Sequence, residues 1–344
     1  MATLGVHLVG SVCGVDTAEA SFRNCAASFP SRLRRLPDGE PAHRGTFIGW
    51  QRDVFSHTPV VLKQFDETFA AIEQPEVPDD EIKRIAANMP PLKPGFLDAA
   101  LESYEVFKKL KQEGIINSKT RFLVALPTPV AVMTLVRAHG FQTAIEPIYE
   151  AALLDELRQI QGKIPKSDLA IQWDFACEIA ALEHAWPHYF TPYFEPYFEG
   201  ATERLTRLLD FIDPEVEAGI HLCYGDIFNK HVTEPKDTGL LVRVANAVIV
   251  AKKRKLDFLH LPVPKERDDD AYFAPLKDLK LGDTELYLGL VHGYEEEKTK
   301  DRIKAAKKVV STFGVATECG LGRTPAEKFE SIAKISTEVS TAVV

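Results

Sequence analysis

The sequence Leu-Ala-Ile-Gln-Trp-Asp-Phe at positions 169–175, together with the segment that extends from it to residue 224, decides the fold class. A helical pattern covers residues 202–212, and a second apolar run, Ala-Gly-Ile-His-Leu-Cys-Tyr, covers residues 218–224. Both runs are almost continuously apolar, as strands buried on both faces are. A buried strand, a helix and another buried strand form the repeating unit of an α/β protein with a parallel sheet.

The same unit recurs in both directions along the chain. Eight runs of this kind occupy residues 5–12, 32–37, 122–126, 169–175, 218–224, 257–263, 285–292 and 315–319. Helical spacing of apolar residues fills segments between them, at 17–29, 97–113, 145–160, 202–212, 240–253 and 298–313. Eight strands that alternate with helices predict a (β/α)8 TIM barrel, and we expect residues 1–344 to form a single domain.

Two segments depart from the repeat. Residues 54–96, between the second and third strands, contain a cluster of prolines and are predicted to be an inserted excursion on the barrel. Residues 186–198 follow the fourth strand and combine many aromatic residues with three prolines, which prevents a regular helix. These aromatics could cover the barrel mouth as a lid, or they could pack as a rigid loop or a dimer contact.

Composition narrows the class of protein. The 344 residues are 45% hydrophobic and 26% charged, which allows a large core and excludes the disordered class. A net charge of −9 argues against nucleic-acid binding, because that function favours a basic face. We expect neither a membrane span nor a signal peptide. Five cysteines without a disulfide framework indicate a reducing compartment, and we expect a cytoplasmic protein with free or metal-bound thiols.

The strand ends hold the candidate metal ligands, because function in TIM barrels sits at the C-terminal ends of the strands. His221 and Cys223 lie two residues apart near the end of the fifth run and point to the same side. Cys319 ends the eighth run, which opens on the same mouth. An imidazole and thiolates are typical zinc ligands. The alternatives are a chance pair and, for Cys319, a small buried apolar side chain.

Three carboxylates lie at other strand ends. Asp38 and Glu40 follow the second run and are candidates for substrate binding, but three arginines nearby make a surface salt-bridge network the alternative. Asp174 lies in a strand that is otherwise strongly apolar. A buried carboxylate needs partners, which favours a role for Asp174 in substrate binding or catalysis.

Other polar residues are candidates with equally plain alternatives. His292 ends the seventh run and could act as a catalytic acid or base, since the ordinary histidine pKa is near 6.5. Its alternative is a hydrogen bond that supports other site residues. Tyr224 follows Cys223 and is expected to line the mouth. Arg323 could bind an anionic substrate or pair with Glu318.

Ile-His-Leu-Cys-Tyr at 220–224, followed by Cys-Gly-Leu at 319–321, resembles the zinc motifs of the cobalamin-independent methionine synthases. That barrel superfamily also includes uroporphyrinogen decarboxylase. The resemblance implies a zinc ion held by His221, Cys223 and Cys319. It covers about residues 8–323 and matches only the C-terminal catalytic barrel of the long enzymes.

Further segments line up in the same order. Leu-Val-Gly-Ser at 8–11, Asp-Gly-Glu at 38–40 and Gln-Trp-Asp at 172–174 are similar to segments of that family that contact the substrate amino acid. The resemblance therefore implies that Ser11, Glu40 and Asp174 bind the amino-acid part of a substrate.

The chain also departs from the family. Pro262, which cannot bind metal, stands where the family has a zinc-binding glutamate. His260, two residues earlier on the same side of the strand, could replace that ligand or could be a buried structural histidine. Phe175 and Ala176 replace a Glu-Pro pair, so we expect the amino-acid pocket to accept a different substrate.

The leading hypothesis is a zinc-dependent enzyme that transfers a methyl or alkyl group to a thiol substrate activated as a metal-bound thiolate. The departures argue against methionine synthesis itself, and the donor is folate or another methyl or alkyl compound. One alternative is a lyase, decarboxylase or hydrolase, with or without metal, that uses Asp38, Asp174 and His292. Another is a non-catalytic metal-binding barrel. We expect small-molecule partners and neither nucleic-acid nor membrane partners.

Overall fold

Eight parallel strands form the central sheet in a computed structural model that describes residues 4–67, 71–138, 140–185, 190–227 and 230–344. These strands are β1 (Val6–His7), β2 (Arg35–Pro37), β3 (Arg121–Pro127), β4 (Leu169–Phe175), β5 (Glu217–Leu222), β6 (Phe258–Pro262), β7 (Glu285–Val291) and β8 (Gly314–Thr317). A short antiparallel pair, Asp226–Ile227 with Lys230–His231, lies outside this sheet. Each predicted run contains one barrel strand, although the first contributes only two residues in regular pairing.

The sheet curls into a nearly closed barrel. Its strands follow the order β1-β8-β7-β6-β5-β4-β3-β2, and every neighbouring pair is parallel. Parallel bridges from Val6 to Leu33 and from Ser11 to Gly39 connect the two edges of the sheet. With helices between the strands, this confirms the (β/α)8 TIM-barrel class.

In the described part of the chain, ten α-helices lie between strands, and the last one follows β8. They are α1 (Ala18–Ser28), α2 (Asp79–Ala87), α3 (Phe96–Gln112), α4 (Pro129–Met133), α5 (Gly140–Lys163), α6 (Cys177–Leu182), α7 (Tyr197–Asp210), α8 (Gly239–Ala251), α9 (Asp270–Phe273), α10 (Glu296–Ala306) and α11 (Phe329–Val339). The helix predicted at 298–313 ends early, because residues 307–313 turn into β8. Within the described residues, none of these helices is long and apolar enough to cross a membrane.

The excursion between β2 and β3 is present. It begins earlier than the predicted residue 54, because two 3-10 helices, Ala42–Thr46 and Gly49–Phe55, already follow β2; a third, Pro59–Val61, and then α2 come after them. A backbone hydrogen bond from Lys63 N to Leu135 O (2.8 Å) ties it to the segment after α4. Trp50 packs edge-on against Phe96 with ring centroids 4.9 Å apart. These contacts place the excursion at the C-terminal end of the barrel, next to the strand ends.

The aromatic segment is described only in part, since residues 186–189 lie outside the described residues. In the remainder, Phe190 is buried. Phe194 stacks on Tyr197 with ring centroids 4.8 Å apart, and the Arg204 guanidinium lies 3.8 Å from the centre of the Phe194 ring. These contacts pack the end of the segment against α7.

Candidate metal centre

The C-terminal ends of β5 and β8 bring one imidazole and two thiols together. His221 lies on β5, and Cys223 follows it with its N–H donating to Phe175 O of β4 (3.1 Å), which continues the strand pairing. Cys319 lies in the loop after β8. Its Sγ is 3.7 Å from Cys223 Sγ and 3.8 Å from His221 Nε2. The sequence expectation that these three residues converge agrees with this geometry.

The separations of Cys319 Sγ from Cys223 Sγ and from His221 Nε2 fit a tetrahedral zinc ion. Zn–S bonds of about 2.3 Å and Zn–N bonds of about 2.0–2.1 Å give sulfur–sulfur and sulfur–nitrogen separations of ~3.8 Å and ~3.6 Å. The three ligand atoms lie within 4.8 Å of one another, and among the described residues no other His, Cys, Asp or Glu group of this kind is found. Sulfur and imidazole donors favour zinc over hard cations such as magnesium.

The two thiols differ in acidity. Cys223 donates its S–H to Cys319 Sγ, and this hydrogen bond lowers the pKa of Cys319 well below its ordinary value. His221 and Arg323 lower the pKa of Cys319 further. The same hydrogen bond, together with burial, raises the pKa of Cys223. Cys319 is therefore the first thiolate that this site can offer to a cation.

His260 contacts His221 rather than the thiols. The register of β5 and β6 pairs the two histidines, and their Nδ1 atoms are 2.6 Å apart. His260 is fully buried, and burial, with His221 and His7 close by, lowers its pKa well below the ordinary value. It does not belong to the group of three candidate metal ligands, His221, Cys223 and Cys319, which we call the ligand group.

The thiols open onto a cavity of about 790 Å³ at the barrel mouth. Four residues predicted to bind substrate line this cavity together with the ligand group: Ser11, Glu40, Asp174 and Arg323. The structure therefore places the carboxyl groups and the candidate metal ligands around one cavity, although they come from different strands.

Ser11 and Arg323 are positioned by the loop that carries Cys319. Ser11 Oγ accepts a hydrogen bond from Gly322 N (3.0 Å), and Ser11 O accepts one from Leu321 N (2.8 Å). Arg323 Nη2 lies 3.9 Å from Cys319 Sγ. Ser11 thus holds the cysteine loop against β1, and Arg323 places a positive charge beside the thiol.

Asp174 is held by a buried polar chain inside the barrel. Gln172 Nε2 donates to Asp174 Oδ1 (2.8 Å) and to Val9 O (2.7 Å). Gln172 Oε1 is in turn 2.9 Å from His7 Nε2. These contacts satisfy the requirement of a buried carboxylate for partners and fix the side chain at the cavity wall.

The carboxyl groups of Asp174 and Glu40, which line the large cavity, both have raised pKa values. Burial, followed by the charge of Glu40, raises the pKa of Asp174 well above its ordinary value. Burial and the neighbouring Asp38 raise the pKa of Glu40 to about 8. A pair of carboxyl groups in this state favours a cationic group, because an ammonium would relieve the repulsion between them.

Asp38 makes its contacts outside the large cavity. Its carboxylate accepts hydrogen bonds from Arg44 Nη2 (2.6 Å), Ser103 Oγ (2.7 Å) and Glu40 N (2.9 Å). It is not among the residues that line the large cavity. Its contacts match the salt-bridge alternative, and they hold the turn in which Glu40 adopts a φ of 50°.

His292 and Tyr224 line a second cavity of about 560 Å³, which meets the first at Cys223 and Cys319. His292 Nε2 lies 3.1 Å from Val263 O, and burial lowers the pKa of His292 to about 3. Tyr224 is buried, with its hydroxyl oxygen 3.3 Å from that of Tyr272. A histidine that stays neutral and bonds to the backbone fits the supporting role better than that of a catalytic base.

The apolar wall of the large cavity was not predicted from the sequence. Much of this wall comes from the excursion and the segments beside it, with five apolar side chains: Phe47, Ile48, Trp50, Leu135 and Phe190. The signal in the sequence was the stretch Gly-Thr-Phe-Ile-Gly-Trp at 45–50, which is apolar and glycine-flanked but has neither helical nor strand periodicity.

The fold matches solved structures of vitamin-B12-independent methionine synthases. A putative enzyme of this kind from Listeria monocytogenes superposes with a TM-score of 0.53 at 13% identity, covering 98% of this chain and 96% of that one. A methionine synthase from Shewanella sp. W3-18-1 in complex with selenomethionine gives a TM-score of 0.48 at 13% identity, covering 98% of each chain. No family model and no curated protein matches the sequence. At this identity, the likeness concerns the fold.

Proposed function

We propose that this chain is a zinc-dependent transferase that moves a methyl or alkyl group to a thiol substrate. The observation that carries the proposal is the group of His221, Cys223 and Cys319, whose spacing suits a tetrahedral ion and which opens onto the large cavity. Zinc, when bound there, would lower the pKa of a coordinated substrate thiol, so that a thiolate nucleophile is available at neutral pH.

The ligand set leaves room for a substrate. Three protein ligands and one open position are typical of catalytic zinc sites, whereas structural sites have four protein ligands. The chain has no carboxylate at the end of β6, where Pro262 stands. The sulfur of the substrate would take the open position facing the cavity.

The other residues that line the large cavity would bind the amino group of the substrate and the donor of the methyl or alkyl group. Glu40 and Asp174 would receive a cationic amino group of the thiol substrate, while the apolar wall would hold the donor. In the transfer, the thiol loses its proton, its sulfur forms a bond to the donor carbon, and the leaving group departs with the electron pair of the broken bond. The departures from the family around Phe175 and Pro262 support a substrate pair other than that of methionine synthesis.

Metal analysis of the purified chain tests the first part of the proposal. We expect about one zinc ion per chain in the wild type and loss of that zinc in Cys223→Ala and Cys319→Ala. Cys25→Ala is the control, because Cys25 is a buried thiol, as Cys223 is, and lies outside the group of candidate metal ligands. Zinc retained in both site variants, or absent from the reconstituted wild type, would overturn the metal centre.

Thiol binding tests the second part. In the cobalt-substituted wild type, addition of an amino-thiol should strengthen the thiolate-to-cobalt absorption. A metal-loaded protein whose spectrum responds to no small thiol would contradict the transferase, and would direct attention to metal-assisted lyase or hydrolase chemistry.

A further inference from the structure

The imidazole rings of His221 and His260 contact each other inside the barrel, next to the two cysteines of the ligand group. His221 Nδ1 and His260 Nδ1 are 2.6 Å apart, and their ring centroids are 4.8 Å apart with an angle of 34° between the planes. Two ring nitrogens at this distance cannot both be bare and cannot both carry a proton. One ring donates an N–H and the other accepts it.

The ligand group decides the direction of this hydrogen bond. His221 Nε2 is the nitrogen that faces Cys319 Sγ, at 3.8 Å. A nitrogen that binds a metal must be bare, so a neutral His221 carries its proton on Nδ1. His221 Nδ1 is therefore the donor and His260 Nδ1 the acceptor.

We propose that His260 is a positioning residue, which fixes the tautomer and the ring orientation of His221 so that Nε2 is presented to the metal. This inference rests on the proposed metal centre. Histidine ligands commonly donate their second N–H to a carboxylate, a backbone carbonyl or water. Here a neutral imidazole takes that place, so the acceptor adds no negative charge to a site that already holds two cysteines.

The pairing of β5 with β6 explains why His260 can orient the His221 ring and why His260 is not itself a metal ligand. The β5–β6 register sets His260 beside His221, so the two rings approach edge to edge within the barrel. The ring of His7 lies on another side of His260, with centroids 5.6 Å apart. His260 is thus enclosed, and its Nδ1 is already engaged by His221.

Zinc affinity, measured on the full chain by competition with a chelating indicator, tests the proposal. His260→Leu removes the acceptor at similar volume and should weaken zinc binding about 10- to 100-fold. His260→Asn places an oxygen acceptor near the position of Nδ1 and should recover much of the loss. His7→Leu is the matched control, because His7 is equally buried but bonds to Gln172 and not to the ligand group.

Nuclear magnetic resonance of the ¹⁵N-histidine-labelled wild type tests the hydrogen bond without any variant. Nitrogen–nitrogen coupling between His221 and His260, with the proton on His221 Nδ1, is the expected result. A proton on His221 Nε2 in the zinc-loaded chain, or no coupling, would overturn the proposal even if the leucine variant failed to fold.

The outcomes separate this inference from the proposed function. If the wild type binds no zinc, both fail. If the wild type binds zinc and His260→Leu binds it within about threefold, only the positioning role fails. Equal losses in His260→Leu and His7→Leu would show a general effect on the barrel interior and would also reject the positioning role.

Discussion

In the proposed function, Glu40 is one of the two carboxyl groups that would contact the amino group of the substrate. Its carboxylate lies so close to β1 that a Cβ atom added to Gly10 would come within 2.6 Å of Glu40 Oε1. The absence of a side chain at Gly10 therefore leaves the space that the carboxylate uses. Burial and Asp38 raise the pKa of Glu40 to about 8, and a cationic partner would stabilise the ionised form of its carboxyl group.

Glu40→Gln should weaken binding of an amino-thiol to the cobalt-substituted protein about 10- to 100-fold, because a charge-assisted hydrogen bond is lost. A thiol of the same length without the amino group is the control, and its affinity should not change. Spectroscopic titration measures both. An equal loss for the two thiols would show that Glu40 does not contact the amino group.

The raised pKa of Glu40 predicts that binding of the amino-thiol depends on pH. Below pH 8 Glu40 is largely protonated, so an ammonium group must displace that proton. The preference for the amino-thiol over the control thiol should therefore rise as the pH increases toward about 8, and this rise should vanish in Glu40→Gln.

For individual residues, the sequence predicted the positions that follow from spacing along one strand or from a recognisable motif. His221, on β5, and Cys223, directly after it, are two residues apart in extended chain, and the structure brings Cys319 to them. The salt bridge of Asp38 with Arg44 could be given only as an alternative. The contact of His260 with His221 could not be predicted in this way, because it depends on the β5–β6 register, which is set by tertiary structure.

At the scale of elements, burial made the strands predictable. Strands covered on both faces give short apolar runs, and all eight were located from these runs. Helices α2 and α11 were not predicted: α2 lies in the proline-containing excursion and α11 beyond the last strand. The path of the excursion depends on contacts such as that of Trp50 with Phe96, which have no local signal.

The start of α3 shows how two elements depend on each other. Its N-terminal residue Gly95 has a φ of 87° and no side chain to cap the helix. The carboxylate of Glu156, on α5, accepts hydrogen bonds from Gly95 N (2.9 Å), Phe96 N (2.7 Å) and Leu97 N (3.1 Å). A negative group at this end also interacts favourably with the helix dipole.

Glu156→Ala should lower the free energy of unfolding by about 1–2 kcal/mol, since the first turn of α3 loses its cap. Urea unfolding followed by circular dichroism measures the change. Glu105→Ala is the control, because the Glu105 side chain, on α3 itself, is 71% exposed. Similar stabilities for the two variants would contradict the capping role.

In the whole molecule, the candidate metal ligands and a buried ion-pair cluster lie at opposite ends of the barrel. The candidate metal ligands lie at the C-terminal ends of the strands, where TIM barrels carry function. At the opposite end, Arg35 of β2 donates to Glu217 at the start of β5 (2.7 Å) and to Glu285 at the start of β7 (2.9 Å). Its guanidinium also lies 4.1 Å from the centre of the Phe258 ring on β6. One buried side chain thus connects four strands.

Arg35→Met should therefore lower the free energy of unfolding by about 3 kcal/mol, because it leaves two partly buried carboxylates without their main partner. Zinc content should stay unchanged, since the metal centre is at the other end of the barrel. Arg34→Met is the matched control: its side chain is 39% exposed and 3.4 Å from Glu285, so its loss should cost less than about 1 kcal/mol. Urea unfolding and metal analysis of the same samples test both statements. Loss of zinc from folded Arg35→Met would show that the two ends of the barrel are coupled, contrary to this separation.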